Sequence, residues 1–212
     1  MRTLAILPVK RFELAKSRLG ELLGPTQRRL LAEAMVTDVL NALLGAPGLD
    51  AVVVVTNEPS VASLADSLGA MVLADPVESG QSAAALVGIS HALASGCERV
   101  LLVPGDCPAL DGAALGTLLG CAAAPPAVTI VADRHGSGTN ALLLTPPDAI
   151  EPGFGPDSFE RHRQRASAAG AAWHVERLAG LALDIDTPED LAVLRTAPAT
   201  TATCTSALLE QL

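Results

Sequence analysis

The chain holds only two lysines, Lys10 and Lys16, six residues apart in Leu-Pro-Val-Lys-Arg-Phe-Glu-Leu-Ala-Lys-Ser-Arg-Leu, early in the sequence. With Arg18 they put three cations in one short segment. Compact ammonium groups on flexible stems suit phosphate oxygens, and a guanidinium grips them in bidentate fashion. Two acidic segments far along the chain carry the opposite charge. Asp106 follows the run Leu-Leu-Val-Pro-Gly, and Asp184 and Asp186 flank Ile185 in Leu-Ala-Leu-Asp-Ile-Asp-Thr-Pro-Glu-Asp-Leu. A carboxylate at the carboxyl end of a strand suits a hard divalent cation. Asp106 could instead cap a helix, but Asp111 stands nearer the next helical pattern. Thr187 as a cap, Pro188 at the first helical position and Asp190 as capping-box partner account for the residues after Asp186. Asp184 and Asp186 keep no structural role, and in an extended segment they share a face. Asp106 with one more of these carboxylates would give Mg²⁺ two protein ligands and leave sites for water and phosphate oxygens. Mg²⁺ and lysines together would neutralise a triphosphate and stabilise a leaving pyrophosphate.

The elements that must position these residues alternate along the chain. Thr3–Val9 is a buried strand running into a loop. Residues 24–48 form a long helix with Pro25 near its start and Gly45 to Gly48 as its stop. Ala51–Thr56 is a β-branched strand, Met71–Asp75 another, and the run Arg99 to Pro108 a third that ends in an acidic turn. Helices fall between them, one of them bounded by Gly80 and Gly96. Ala127–Asp133 and Thr139–Pro146 read as strands, residues 157–170 as helix, Ala172–Leu178 and Leu181–Asp186 as extended, and Thr187–Arg195 as a closing helix. This is a single α/β domain, residues 1–195, with a mainly parallel sheet flanked by helices. Residues 196–212 read as a tail, Ala/Thr/Pro-rich and partly disordered in its first half, with a weak amphipathic turn in its last residues. Ligands of such sheets bind outside the carboxyl ends of the strands. The loops Pro8–Lys16, Thr56–Pro59, Asp75–Gln81, Pro104–Pro108 and Asp184–Pro188 all leave strands there and hold most of the unusual polar residues.

Composition removes several functions. A net charge of −9, three Phe, one Trp and no Tyr argue against a nucleic-acid partner. Seven of the 14 basic residues nonetheless lie within the first 29, opposed there only by Glu13 and Glu21, which suggests a small anionic ligand. That local patch acts within a Debye length of about 8 Å, so the overall charge need not repel a nucleotide. Arg28 and Arg29 read as a solvated helix face. Cys97, Cys107, Cys121 and Cys204 form no C-x-x-C pair and read as small apolar residues in a reducing cytoplasm. No signal-peptide or membrane-span pattern is present. There is no G-x-x-x-x-G-K-[ST] and no G-x-G-x-x-G after a strand. His91, His135, His162 and His174 are scattered, and each reads as a surface or hydrogen-bonded structural residue. A plain turn explains Gly136 and Gly138. Asp157 or Ser158 could cap a helix, or that helix start could hold an anion through backbone N–H groups and the Ser158 hydroxyl.

Taken together, Pro8-Val9-Lys10, Lys16-Ser17-Arg18-Leu19, Pro104-Gly105-Asp106-x-Pro108, Gly138-Thr139-Asn140, Phe154-Gly155-x-Asp157-Ser158-Phe159-x-x-His162 and Asp184-Ile185-Asp186-Thr187-Pro188-Glu189-Asp190-Leu191 resemble the CofC/FbiD guanylyltransferases of coenzyme F-420 biosynthesis. The resemblance spans Leu4 to Leu194. The Asp-Thr-Pro-Glu-Asp-Leu motif is shared widely among nucleotidyltransferases; the Phe-Gly and Gly-Thr-Asn motifs are more specific. It implies a nucleotide-diphospho-sugar transferase (GT-A, Rossmann-like) fold and transfer of GMP from GTP to the phosphate of a three-carbon acid. In actinobacterial members that acid is phosphoenolpyruvate, giving enolpyruvyl-2-diphospho-5'-guanosine; in archaeal members it is 2-phospho-L-lactate. The resemblance carries Thr139, Gly155 and Ser158 over as acid contacts and Asp106 and Asp186, with Asp184 nearby, as metal carboxylates. It carries Lys10, Lys16 and Arg18 over as the triphosphate loop, and Pro8, Val9, Gly80 and Ser82 as nucleotide contacts. Family members often have Gly-Leu-Asn where this chain has Gly80-Gln81-Ser82, a departure at the guanine.

The acid's phosphate is already ionised, so transfer needs positioning, in-line attack and charge neutralisation more than a general base. The implied partners are GTP and the acid, with the product handed to the next enzyme of the pathway in the cytoplasm, and no nucleic acid or membrane. The Ala- and Arg-rich, Lys-poor composition favours phosphoenolpyruvate, with 2-phospho-L-lactate or 3-phosphoglycerate as alternatives. A molybdopterin nucleotidyltransferase would carry a glycine-rich first loop where this chain has Pro-Val-Lys. A GTP-binding module without turnover would have less use for a full set of carboxylates and lysines.

Overall fold

Every residue of strand β1, Thr3–Val9, is buried, as a continuous apolar run must be when both of its faces are covered. Ala5, Leu7 and Val9 enter one core layer; Leu4 and Ile6 enter the other. The computed structural model describes residues 1–12, 16–120, 124–196 and 200–212. Glu13, Cys121 and the 197–199 part of the expected tail lie outside the described residues. After β1 come a 3-10 turn (Ser17–Leu19), α1 (Pro25–Leu44), β2 (Ala51–Thr56), α2 (Pro59–Ser67), β3 (Met71–Leu73), α3 (Gln81–Ala94), β4 (Arg99–Leu102) and α4 (Gly112–Gly120). The second half adds β5 (Ala127–Ala132), β6 (Thr139–Thr145), α5 (Ser158–Ala168), β7 (Ala172–Glu176), α6 (Ala179–Ala182), α7 (Pro188–Leu194) and α8 (Thr203–Leu209).

The seven strands form one sheet in the order β3-β2-β1-β4-β6-β5-β7. Parallel pairing joins β3, β2, β1 and β4, with Leu7 opposite Val54 and Ala5 opposite Leu101. Strand β6 is antiparallel to both of its neighbours. Its link to β5 is a short turn in which Asp133 accepts N–H bonds from Gly136 and Ser137, and so brief a connection can only reverse the chain. On one face α1 and α4 cover the sheet with Leu31, Met35, Val39, Leu115 and Leu118; on the other, α3 and α5 cover it with Ala84, Ile89 and Ala166. A Cβ at Gly88 would collide with Ile6, so α3 lies close against β1.

Strand order reverses beside β1, which has β2 on one side and β4 on the other. This is where an open α/β sheet leaves a crevice at its carboxyl edge.

Two segments depart from the sequence-based expectation. Leu181–Asp186 is not one extended run: Leu181 and Ala182 close α6, and only the residues after them are irregular. The other is the end of the tail, where more than an amphipathic turn forms: α8 is a helix of 7 residues. Asp38 of α1 is buried, and its carboxylate accepts from the backbone N–H groups of Cys204 and Thr205 at 2.9 and 2.8 Å and from the Thr205 hydroxyl at 2.7 Å. A carboxylate under the first N–H groups of a helix stabilises that helix, so α8 sits on α1.

Candidate active site

Lys16 is where the distant charges meet. Its backbone is left-handed, φ 52°, and starts the 3-10 turn that Leu19, fully buried, pins to the core. Its ammonium donates to Asp106 Oδ2 at 2.8 Å and to Asp186 Oδ1 at 2.9 Å. Burial disfavours its charge, but the two carboxylates outweigh that and raise its pKa above the ordinary lysine value. Arg18 is largely exposed and reaches Asp186 Oδ2 at 3.5 Å. Asp106 is free for this because Asp111 caps α4, its Oδ1 accepting from Ala113 N–H at 3.1 Å. The Ile185 N–H donates to the Asp106 carbonyl at 3.0 Å, tying the two acidic segments together. Asp190 closes the capping box with Thr187 and also accepts from the Asp186 N–H at 2.9 Å, so the backbone of Asp186 is fixed from below.

Asp184 takes a different direction. It accepts from Asn140 Nδ2 at 3.2 Å, and burial, with Asp106 and Asp186 nearby, raises its pKa. Of the two carboxylates expected as candidates to join Asp106, Asp186 shares the Lys16 ammonium with it, and Asp184 is bonded to Asn140 of β6. Among the described residues no group of three or more His, Cys, Asp and Glu side chains is arranged to hold a metal ion.

A cavity of about 520 Å³ opens beside this cluster. Its wall includes Lys16, Asp106, Asp186, Pro104 and Gly105, together with Asp75, Gln81 and Ala84 and, from the first loop, Pro8, Val9, Lys10 and Phe12. Of the expected nucleotide contacts, Pro8 and Val9 line it. Gly80 is the N-cap of α3, with φ 115°, next to Gln81 and near Lys10 Nζ. Ser82 is not in the wall: its hydroxyl accepts from the Phe154 N–H at 2.9 Å and ties α3 to the 153–155 loop instead.

Thr139, Gly155 and Ser158 are not among the residues of that cavity's wall; Thr139 is bonded to a buried histidine and to Ser158, and the Gly155 carbonyl accepts from the Ser158 N–H. His162 is fully buried, and its Nε2 accepts from the Gly153 N–H at 2.8 Å. A backbone N–H can only donate, so the ring proton sits on Nδ1 and donates to Thr139 Oγ1 at 3.0 Å. Burial pushes the His162 pKa down to about 4, with Arg165 and Arg161 adding to the shift. Ser158 is the first residue of α5; its hydroxyl oxygen accepts from the Thr139 N–H at 2.9 Å. Each hydroxyl oxygen thus receives a proton from a neighbour, and each keeps its own O–H to donate. Neither Asp157 nor Ser158 caps α5 with its side chain; Asp157 is left-handed, φ 56°. Gly155 has φ 108°, a conformation that disfavours any side chain.

Sequence reasoning passed over the groups that hold the first loop. Glu58 is buried, and its carboxylate accepts from the Phe12 N–H at 3.0 Å and from Arg29 at 2.9 Å. Burial raises its pKa, but these partners and the Ser60 hydroxyl outweigh that and lower it. Arg29, with its side chain half exposed on the helix face, also anchors the first loop through Glu58. Glu58 sits directly after β2, in one of the loops of the active edge, and that position was the available signal.

A mainly parallel sheet with a strand-order reversal, and a lysine joining two loop carboxylates beside a cavity, fit a nucleotidyltransferase, the class to which comparison with known proteins assigns the chain. A protein from Desulfovibrio desulfuricans G20 assigned as a nucleotide-diphospho-sugar transferase has the same fold: TM-score 0.75 at 19% identity, covering 100% of this chain and 95% of that one. The chain belongs to the family described as "Guanylyl transferase CofC like", whose model matches residues 3–203. It is 50% identical over 196 residues to a protein of Conexibacter woesei named phosphoenolpyruvate guanylyltransferase, covering 92% of this chain and 88% of the relative. A protein of Sphaerobacter thermophilus with the same name is 41% identical, covering 90% and 91%.

Proposed function

We propose that this enzyme transfers GMP from GTP to the phosphate of phosphoenolpyruvate, giving enolpyruvyl-2-diphospho-5'-guanosine and pyrophosphate for coenzyme F-420 biosynthesis in the cytoplasm. The observation that carries the reading is the meeting of Lys16 with Asp106 and Asp186, 90 and 170 residues away, beside a cavity of nucleotide size.

One phosphate oxygen of the acid attacks the α-phosphorus of GTP, and the bond from that phosphorus to the β-phosphate bridging oxygen breaks. The acid's phosphate is ionised at neutral pH and needs no base. Lys16, Lys10 and Arg18 would take the charge of the triphosphate and of the leaving pyrophosphate. The carboxyl oxygens of Asp106 and Asp186 converge on the Lys16 ammonium within 2.9 Å, and the same hard oxygens would hold Mg²⁺ once that ammonium turned to the phosphates. Bound there, Mg²⁺ would supply further neutralisation of phosphate charge. The O–H groups of Thr139 and Ser158, with the backbone at Gly155, would hold the acid. Asn140 links this region to Asp184 and so to the acidic segment.

The test is a parallel assay of phosphoenolpyruvate, 2-phospho-L-lactate and 3-phosphoglycerate with GTP and Mg²⁺, following pyrophosphate release and product mass. Phosphoenolpyruvate should give the highest kcat/KM. Pyrophosphate release with none of the three would overturn the reading, and a higher kcat/KM with another acid would move the acceptor assignment.

A further inference from the structure

Asp75 lines the same cavity as Asp106 and has no part in the chemistry above. The sheet order places β3 three strands from β4, so the strands that lead to Asp75 and to Asp106 are about 14 Å apart at ordinary strand spacing, on the scale of a nucleotide. Asp75 is held firmly. The Asn57 amide donates to its carbonyl at 2.6 Å and accepts from its N–H at 3.1 Å. The same Asn57 donates to Glu78, which Arg11 also holds at 3.1 Å. One carboxylate oxygen, Oδ1, accepts from the N–H groups of Val77 and Glu78 at 3.3 and 3.0 Å. The other, Oδ2, has no partner among the described residues. Asp75 is only 7% exposed, so a carboxylate oxygen has been carried to the wall of a cavity and left there to accept.

We propose that Asp75 selects the base of the nucleotide, Oδ2 accepting from N1–H and the 2-amino group of guanine. This rests on the guanylyl-transfer reading above. Guanine carries those two donors side by side on one edge. Adenine and cytosine have an unprotonated ring nitrogen at the corresponding position, which a carboxylate repels. Uracil has a ring N–H between two carbonyl oxygens. Gln81, at the departure from the family pattern, lines the same cavity and offers a second polar group. The wrong base would strip water from a buried carboxylate and give it no donor in return, and that penalty is what discriminates.

Asp75→Asn separates base selection from loop support. Its carbonyl oxygen still accepts from Val77 and Glu78, while an NH₂ donor replaces Oδ2. Xanthine has an oxygen where guanine has the 2-amino group, so the variant should favour XTP. Equilibrium binding of GTP, ITP and XTP to the full chain, followed by turnover with phosphoenolpyruvate, reads this out. Wild type should bind GTP about tenfold or more tighter than ITP, which lacks the 2-amino group. In Asp75→Asn, GTP binding should weaken about a hundredfold and XTP binding should exceed that of the wild type. An unchanged GTP-to-XTP ratio, or equal loss of both nucleotides, overturns the proposal and leaves Asp75 a loop support. Wild-type selectivity for GTP in binding, without turnover on any acid, would support the base selector and count against the transfer reaction alone.

Discussion

The Lys16–Asp106–Asp186 cluster and the Thr139–Ser158–His162 cluster are built on opposite principles. In the first, opposite charges converge beside an open cavity, and the side chains of Asp106 and Asp186 remain about one-third exposed, 32% and 39%. In the second, no group is charged: a neutral histidine orients a threonine, and a serine takes the threonine's N–H, all of it buried. The first suits a substrate whose charge must be neutralised as it changes. The second suits one that must be held in a single orientation by donors already pointing at it.

Breaking the charged cluster should have the largest effect. Asp106→Asn should lower kcat by about a thousandfold while the unfolding midpoint stays near that of wild type. Near-normal turnover would remove Asp106 from the proposed metal site. Next, Lys16→Ala should cost about a hundredfold in kcat/KM for GTP, and Lys10→Ala, more exposed, about tenfold. Arg28→Ala is the control. Arg28 binds the Leu23 carbonyl and is absent from the cavity wall, so its loss should change the constant by about twofold or less. Equal losses for all three would reduce the first loop to a general basic surface.

The neutral cluster should show itself in pH dependence. Folded His162 titrates at about 4, below the ordinary value of 6.5 expected in the unfolded chain. Between those values the unfolded chain binds more protons, so stability is full above pH 6.5 and falls as the pH drops toward 4. The accumulated loss from this group is roughly 3 kcal/mol. Urea unfolding of wild type and His162→Gln at pH 7 and pH 4.5 should show a steeper decline for wild type. Parallel declines would mean that His162 is not held neutral.

The same contrast explains what the sequence made legible. Alternating apolar runs and helix patterns sufficed for the α/β class, because period and burial are local. Lys10, Lys16, Asp106 and Asp186 stood out because charge at strand ends has few structural uses. Asp184 could not be told from Asp186 by spacing: it turns to Asn140, a contact set by how β6 enters the sheet. Ser82 was expected at the base because its role depends on the 153–155 loop, more than 70 residues away, coming close enough to take its hydroxyl. Helix α8 depends likewise on Asp38, more than 160 residues upstream. The Thr139–Ser158–His162 arrangement became visible in the sequence only through the family motif, since neutral residues in a turn and a helix start have ordinary structural explanations.

The division of labour between the two clusters is tested most directly by Ser158→Ala, with steady-state constants measured for both substrates. The KM for phosphoenolpyruvate should rise about tenfold or more while the KM for GTP stays within about twofold. A KM for GTP that rises in step with that for the acid, or an unchanged KM for the acid, would contradict the account.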